Sequence, residues 1–150
     1  MTQEEKELLL KDLCARLPYK PKVHIEHYVF YDEHEPCEPY DTELDPSVLE
    51  LSLSVLYNRY AGAEIKPYLR PMSSMTEEEE KELSRKYNWD IRGNQISIRY
   101  HSEGYWDNET ECPTEEYLNL FDWLNSHYFD YRGLNKKGLA LEAPEGMYKF

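Results

Sequence analysis

The sequence predicts an α+β fold, with a small, mostly antiparallel sheet of about four strands and about three helices. Two patterns predict it. Apolar residues recur at helical spacing in some segments, and β-branched and aromatic residues cluster in others. The two kinds of segment follow each other in mixed order, which favours α+β over a regular alternation. Because 150 residues is the usual size of one domain, we expect 1–150 to form a single acidic globular domain.

The first elements are a helix and a strand. Thr2 and Glu5 have the spacing of a capping box, and leucines follow at helical spacing until a proline, which predicts a helix over 3–16. The next segment, KVHIEHYVFY, is rich in β-branched and aromatic residues and predicts a strand over 22–31. The segment 32–46 contains three prolines and seven acids. It predicts a long acidic loop, or at best a short interrupted edge strand.

The middle of the chain combines weaker and stronger signals. Residues 47–60 alternate well enough to predict a strand, with a short helix as the competing interpretation. The proline-rich segment 65–72 is interpreted as a connector that carries apolar anchors. Thr76 and Glu79 form a second capping box, which predicts an acid-first helix over 77–86.

The last third predicts a hairpin, a loop and a helix. The string WDIRGNQISIRY predicts a β-hairpin that turns on Gly93 and Asn94. A second acidic loop is expected over 102–112. Pro113 suits a first helical turn, and an amphipathic helix is expected from there to about Ser126. The remaining tail is turn-rich around a short apolar LALEA.

Negative charge is concentrated in two stretches of the chain. The sequence has 30 acids and 17 Lys or Arg, for a formal net charge of -13. Nine acids lie between Lys22 and Arg59 and eight lie between Arg99 and Arg132, and neither stretch contains a Lys or Arg. The remainder has 13 acids against 17 basic residues. Acidity is therefore segregated along the chain.

If the two stretches adjoin in the fold, they form one acidic face. Such a face attracts a basic surface on another protein and speeds association. The sequence therefore favours a non-enzymatic binding protein that engages a basic surface of another protein, as an inhibitor or DNA mimic. The alternative is that the acidic loops only keep the domain in solution. The candidate binding residues are Asp32, Glu33, Glu35, Glu38, Asp41, Glu43, Asp45, Glu103, Asp107, Glu109 and Glu111.

Composition argues against several other partners. A strongly negative chain repels phosphate, so we expect no direct binding to nucleic acid. No apolar run approaches the roughly 20 residues of a membrane span. The charged N-terminal segment does not have the pattern of a signal peptide. Cys14, Cys37 and Cys112 are widely spaced, which is typical of reduced thiols. These features predict a cytoplasmic protein without membrane contact.

A second hypothesis is a pocket of basic and aromatic side chains. Arginines beside tyrosine and tryptophan can stack a nucleobase and pair with a phosphate, which predicts a small nucleotide ligand. The alternative is that the rings form the core and the arginine stems lie around it. The candidate pocket residues are Arg59, Arg70, Arg92, Arg99, Tyr68 and Trp89.

Metal chemistry is a third hypothesis, in the form of a metal-dependent hydrolase. His24 and His27 stand three apart in the predicted strand, so they point to opposite faces and cannot share zinc without a bulge. Asp41, Glu43 and Asp45 alternate like half an EF-hand loop but lack its glycine and distal glutamate. The histidines available to such an enzyme are His24, His27, His34 and His101.

Catalytic motifs are absent from the sequence. It contains neither a nucleophile elbow nor a glycine-rich phosphate loop. We therefore predict no cofactor, no metal and no catalytic residue, and favour binding over catalysis.

Three blocks of the chain resemble a known family. They are MTQEEKELLLKDLCARLPY at the start, KPYLRPMSSMTEEEEKEL at 66–83 and FDWLNSHYFDYRGLNKKGLALEAPEGMYKF at 121–150. These blocks are similar to a family of short proteins encoded by gut Bacteroidales and by their phages and prophages. The family brings no established activity and no catalytic motif. The resemblance implies a cytoplasmic accessory protein of phage origin.

Overall fold

A computed structural model describes residues 1–26, 38–50, 64–87, 89–92, 95–98 and 114–150. Its helices are α1 (Gln3–Arg16), α2 (described over 46–50), α3 (Glu77–Tyr87) and α4 (Thr114–Ser126). Its strands are β1 (Lys22–Glu26), β2 (Tyr40–Glu43), β3 (Glu64–Leu69), β4 (Trp89–Arg92), β5 (Gln95–Ile98) and β6 (Leu141–Glu142). Short 3-10 helices cover Leu17–Tyr19 and Met72–Ser74.

Four strands form one sheet in the order β2-β1-β3-β6. β1 runs antiparallel to both β2 and β3, whereas β6 runs parallel to β3. The other two strands, β4 and β5, form a separate antiparallel ladder. The prediction of an α+β fold with a four-stranded, mostly antiparallel sheet is therefore confirmed.

The core of the described residues has two parts. The first lies between α1, the inner face of the sheet and the tail, and the second includes residues of α3 and α4. The buried members of the first are Leu9, Leu13, Val23, Ile25, Leu44, Ile65, Leu69, Leu134, Leu139 and Ala140. Those of the second are Leu83, Leu120, Trp123, Leu124 and Phe129.

Both predicted capping boxes are confirmed. At α1, the Thr2 hydroxyl accepts the Glu5 N–H at 3.2 Å, and the Glu5 carboxylate accepts the Thr2 N–H at 2.7 Å. At α3, Thr76 accepts the Glu79 N–H at 3.3 Å and donates its own N–H to the Glu79 carboxylate at 2.8 Å. Each box satisfies backbone donors that the first helical turn cannot use internally.

The predicted hairpin and last helix are also confirmed. β4 pairs with β5 in a register that places Arg92 opposite Gln95, so two residues connect the strands. Those two, Gly93 and Asn94, lie outside the described residues, as does Pro113 before α4.

The strand prediction for 47–60 is wrong where the structure describes it, because 46–50 is helical. Asp45 begins this helix: its carboxylate accepts the Val48 N–H at 2.9 Å and the Ser47 hydroxyl at 2.6 Å. Asp before proline is a helix-start signal, and it outweighs the alternation of the leucines. The competing helical interpretation is correct over these residues, and 51–60 lies outside them.

The connector prediction for 65–72 is also wrong, because β3 occupies 64–69 and has neighbours on both sides. Ile65, Pro67 and Leu69 alternate inward and are buried. β6 pairs with Tyr68 and Leu69, one residue beyond Pro67, so the parallel ladder starts after the residue that lacks an N–H.

For the acidic segment 32–46, the second of the two predictions, a short edge strand, is correct over part of its length. β2 pairs with β1 over 40–43, while 32–37 lies outside the described residues. The strand predicted over 22–31 is confirmed over 22–26. Among the described residues, no helix is long and apolar enough to cross a membrane.

Tyr148 adds a side-chain link between the tail and the sheet, beside the pairing of β6 with β3. The hydroxyl of Tyr148 accepts the Lys22 N–H at 3.0 Å and donates to the Tyr68 carbonyl at 2.9 Å. The hydroxyl therefore bridges backbone groups of β1 and β3. Burial raises the pKa of Tyr148 well above its usual value, so the hydroxyl stays protonated and can donate.

A buried ion network joins α1 to the segment after α4. Asp12 and Arg16 are fully buried one helical turn apart, with Oδ2 of the acid 2.7 Å from Nε of the arginine. Arg16 also donates from Nη2 to the carbonyl oxygen of Phe129 at 2.7 Å. The other oxygen of Asp12 lies 3.3 Å from Nε of Arg132. One carboxylate therefore lies between two guanidinium groups, hydrogen-bonded to Arg16 and in an ion pair with Arg132.

Replacing Asp12 with asparagine is expected to lower the free energy of unfolding by about 3–5 kcal/mol, because it leaves the Arg16 charge buried without its carboxylate. Urea denaturation followed by circular dichroism measures the change. Lys11→Gln is the control: Lys11 is exposed on the same helix, and its loss should cost less than about 0.5 kcal/mol. Equal stabilities for the two variants would contradict this role of Asp12.

Candidate functional site

Three of the predicted binding residues form an exposed acidic surface at β2. Asp41 and Glu43 lie on this edge strand and Glu38 precedes it, and all three are exposed. Asp41 and Glu43 are alternate residues of the strand, so they point to the same side of the sheet. We refer to these three residues as the acidic surface.

The outer face of the sheet continues this charge. Across β1, β2 and β3 it carries the carboxylates Glu26, Asp41, Glu43 and Glu64 and the lysines Lys22 and Lys66. Nζ of Lys66 lies 2.7 Å from Oε2 of Glu64, and this hydrogen bond raises the pKa of Lys66. Lys66 is therefore paired within β3, whereas Lys22 lies directly opposite Glu43 in the register and offsets part of the charge of the acidic surface.

Asp41 is held in place by side chains of β1 and β3. Its Oδ1 lies 2.7 Å from Nδ1 of His24 and accepts the Tyr68 hydroxyl at 3.2 Å. Burial and the charge of Asp41 raise the pKa of Tyr68, which keeps its hydroxyl protonated. The Asp41 side chain nevertheless remains 49% exposed. A carboxylate fixed in this way can meet a partner without losing much conformational freedom on binding.

Asp45 has a different role from the other predicted acids. The Ser47 hydroxyl and the Val48 N–H both donate to its carboxylate and lower the pKa of Asp45. The side chain therefore caps α2. The other predicted acids, Asp32, Glu33, Glu35, Glu103, Asp107, Glu109 and Glu111, lie outside the described residues.

Arg70, a predicted pocket residue, is paired within the fold. Its Nη1 and Nη2 donate to the two carboxylate oxygens of Glu79 at 2.7 and 2.9 Å, and Nη2 also donates to the Ser74 carbonyl at 3.1 Å. Burial opposes ionisation of Glu79, but Arg70 and the Thr76 N–H outweigh it and lower the pKa of that carboxyl. The N–H groups of Arg70 that face Glu79 and Ser74 are therefore occupied.

Flat groups surround the Arg70 guanidinium. Its central carbon lies 4.3 Å from the ring centroid of Phe129 and 5.2 Å from that of Phe150. Phe129 and Phe150 are also the first and last rings of a stack. Its ring centroids are 5.8 Å apart for Phe129 and Trp123, 4.0 Å for Trp123 and His127, and 4.8 Å for His127 and Phe150. We refer to these four rings as the aromatic stack.

Sequence reasoning missed the aromatic stack. The available signal was the density of aromatic residues between 121 and 131, which the helical pattern of α4 obscured. His127 continues the stack just beyond α4, and its Nδ1 lies 2.9 Å from the Trp123 carbonyl. Nδ1 also lies 3.1 Å from Oγ of Ser126, so it has a hydrogen-bond partner whether or not it carries the proton. The ring orientation of His127 is thereby fixed.

The structure describes some of the other predicted pocket residues. Tyr68 donates to Asp41, whereas Arg70 pairs with Glu79. Trp89 and Arg92 lie on β4, opposite Ile98 and Gln95. Arg59 and Arg99 lie outside the described residues.

The structure describes only some of the residues that could bind a metal ion. Within the described ranges, no group of three or more His, Cys, Asp or Glu side chains is placed to hold a metal ion. His24 lies beside Asp41, and Cys14 is an exposed thiol on α1. His27, His34, Cys37, His101 and Cys112 lie outside the described residues.

Comparison of the chain with protein-family models, with curated protein sequences and with solved structures gave no significant match.

Replacing Glu79 with glutamine is expected to cost about 2 kcal/mol of stability at pH 7, because it removes a charged acceptor from Arg70. The folded pKa of Glu79 lies below the ordinary 4.5, so its contribution is present above pH 4.5 and is lost as the pH falls through the folded value. The variant should therefore lose less stability than the parent on acidification below pH 4.5.

Urea unfolding at pH 7 and pH 3 measures both effects. Glu80→Gln is the matched control, since Glu80 is an exposed acid in the same helical turn. If the two variants had the same pH dependence, the pairing of Glu79 with Arg70 would have no energetic role.

Proposed function

We propose that this chain is a non-enzymatic binding protein that engages a basic surface of another protein through its acidic surface. The single observation that supports it is the exposure of Glu38, Asp41 and Glu43 together at the edge strand β2. They belong to the first base-free stretch of the sequence. Lys66, the lysine of β3, is already paired with Glu64.

The geometry suits basic side chains as ligands. Alternate residues of a strand lie roughly 7 Å apart, so Asp41 and Glu43 can each meet a different Lys or Arg. Exposed carboxylates at the rim of an interface mainly raise the association rate, and salt screens that effect. The net charge of -13 adds a long-range attraction for a basic partner.

We also propose a biological context for this binding. The resemblance of three blocks to proteins of gut Bacteroidales and their phages supports a cytoplasmic phage accessory factor that acts on a host protein. An inhibitor or DNA mimic is the type of factor that would use such a surface, because DNA-binding sites are basic.

Charge reversal tests the proposal. A chain with Glu38→Lys and Glu43→Lys, immobilised and exposed to a lysate of Bacteroidales cells at low salt, is expected to retain at least roughly fivefold less of the specific host protein than the parent chain. Raising the salt to 0.5 M should release that protein from the parent chain. Quantitative mass spectrometry of the bound fraction measures both results.

The matched control reverses the same number of charges elsewhere. Glu78 and Glu80 are exposed acids of α3, and Glu78→Lys with Glu80→Lys gives the same net charge as the first variant. The control should retain the host protein. Equal loss from both variants would show that net charge alone acts, and no loss from either would exclude the acidic surface as the binding site.

A further inference from the structure

The Phe150 ring occupies a flat site that the rest of the fold builds. It stacks on His127 with an angle of 20° between the ring planes, and the Arg70 guanidinium lies on it at 5.2 Å. Tyr128 borders the ring at 6.1 Å. Yet Phe150 is 68% exposed, the largest exposed fraction among the exposed large hydrophobic residues described.

His127 and Arg70, which form the site, have more contacts that hold them in place than the Phe150 ring has. His127 is fixed by the Trp123 carbonyl and by stacking on the buried Trp123 ring. Arg70 is fixed by two bonds to Glu79, and its side chain is 14% exposed. A mostly exposed ring on rigid flat groups can leave at little cost in buried area.

We propose that His127 and Arg70 form a stacking site for an uncharged purine, which takes the place of the Phe150 ring. An imidazole and a guanidinium both stack on the face of a planar base, and a purine offers a larger face than phenylalanine. This site does not depend on the proposed binding of a basic protein, because none of its residues belongs to the acidic surface.

The same geometry selects a nucleoside over a nucleotide. Three of the five N–H donors of Arg70 are already bound to Glu79 and Ser74, so the guanidinium offers a ligand its face and only part of its edge. A phosphate needs donors from the edge of a guanidinium. Glu79 also neutralises the charge of Arg70, so the pair gives a phosphate no net attraction.

Adenosine titration followed by NMR tests this site. In a chain with Phe150→Ala, adenosine is expected to shift the His127 ring signals saturably, with an apparent Kd at least roughly fivefold lower than in the parent chain, where Phe150 competes. AMP should bind no more tightly than adenosine. A second substitution, His127→Ala, should abolish the shifts.

Controls separate this result from general effects. Phe121→Ala removes another exposed aromatic ring, one that contacts Tyr131 and lies outside the stack, and it should leave the parent affinity unchanged. Thermal unfolding shows that each variant is folded. The proposal is overturned if folded Phe150→Ala shows no saturable shift. Binding of N-acetylphenylalanine amide but not adenosine, or AMP binding tenfold more tightly than adenosine, would also overturn it.

Discussion

The buried pair of Asp12 and Arg16 is the interaction on which the arrangement of the described elements depends. A charge without contact to water is tolerated only when it is paired and hydrogen-bonded. Arg16 is paired with Asp12 on its own helix and donates to the Phe129 carbonyl, which lies 113 residues away, while its Nη1 has no hydrogen-bond partner. Displacement of α1 would keep the pair of Asp12 and Arg16 but would break the bond from Arg16 to the Phe129 carbonyl. That bond therefore favours the observed docking position of α1.

Arg70 has a similar role at the end of β3. Its backbone donates to the Tyr128 carbonyl and accepts the Asp130 N–H, while its side chain pairs with Glu79 of α3. The residue thereby links the sheet to α3 and to the segment that follows α4. The rings on either side of its guanidinium follow from this position, because a fixed cation attracts aromatic faces. The stacking site at Phe150 is thus a consequence of how the sheet joins α3 and α4.

The two proposed binding regions use charge in opposite ways. At β2, carboxylates remain exposed, and Asp41 is oriented by His24 and Tyr68 without being buried. At the aromatic stack, the charges of Arg70 and Glu79 cancel, so flat surface remains for recognition. Exposed charge suits a protein partner met at long range, and flat neutral surface suits a small planar ligand.

The sequence by itself determined the elements whose signals are local. Both capping boxes, at Thr2 and Thr76, place donor and acceptor three residues apart, so neighbouring residues decide the outcome. The exposure of Glu38 and Glu43 also follows locally, since isolated carboxylates avoid burial. Only the tertiary structure decided that 64–69 is a strand with neighbours on both sides, because β1 and β6 supply its hydrogen bonds. It likewise decided that Arg70 pairs with Glu79, since their contact exists only after β3 and α3 have packed.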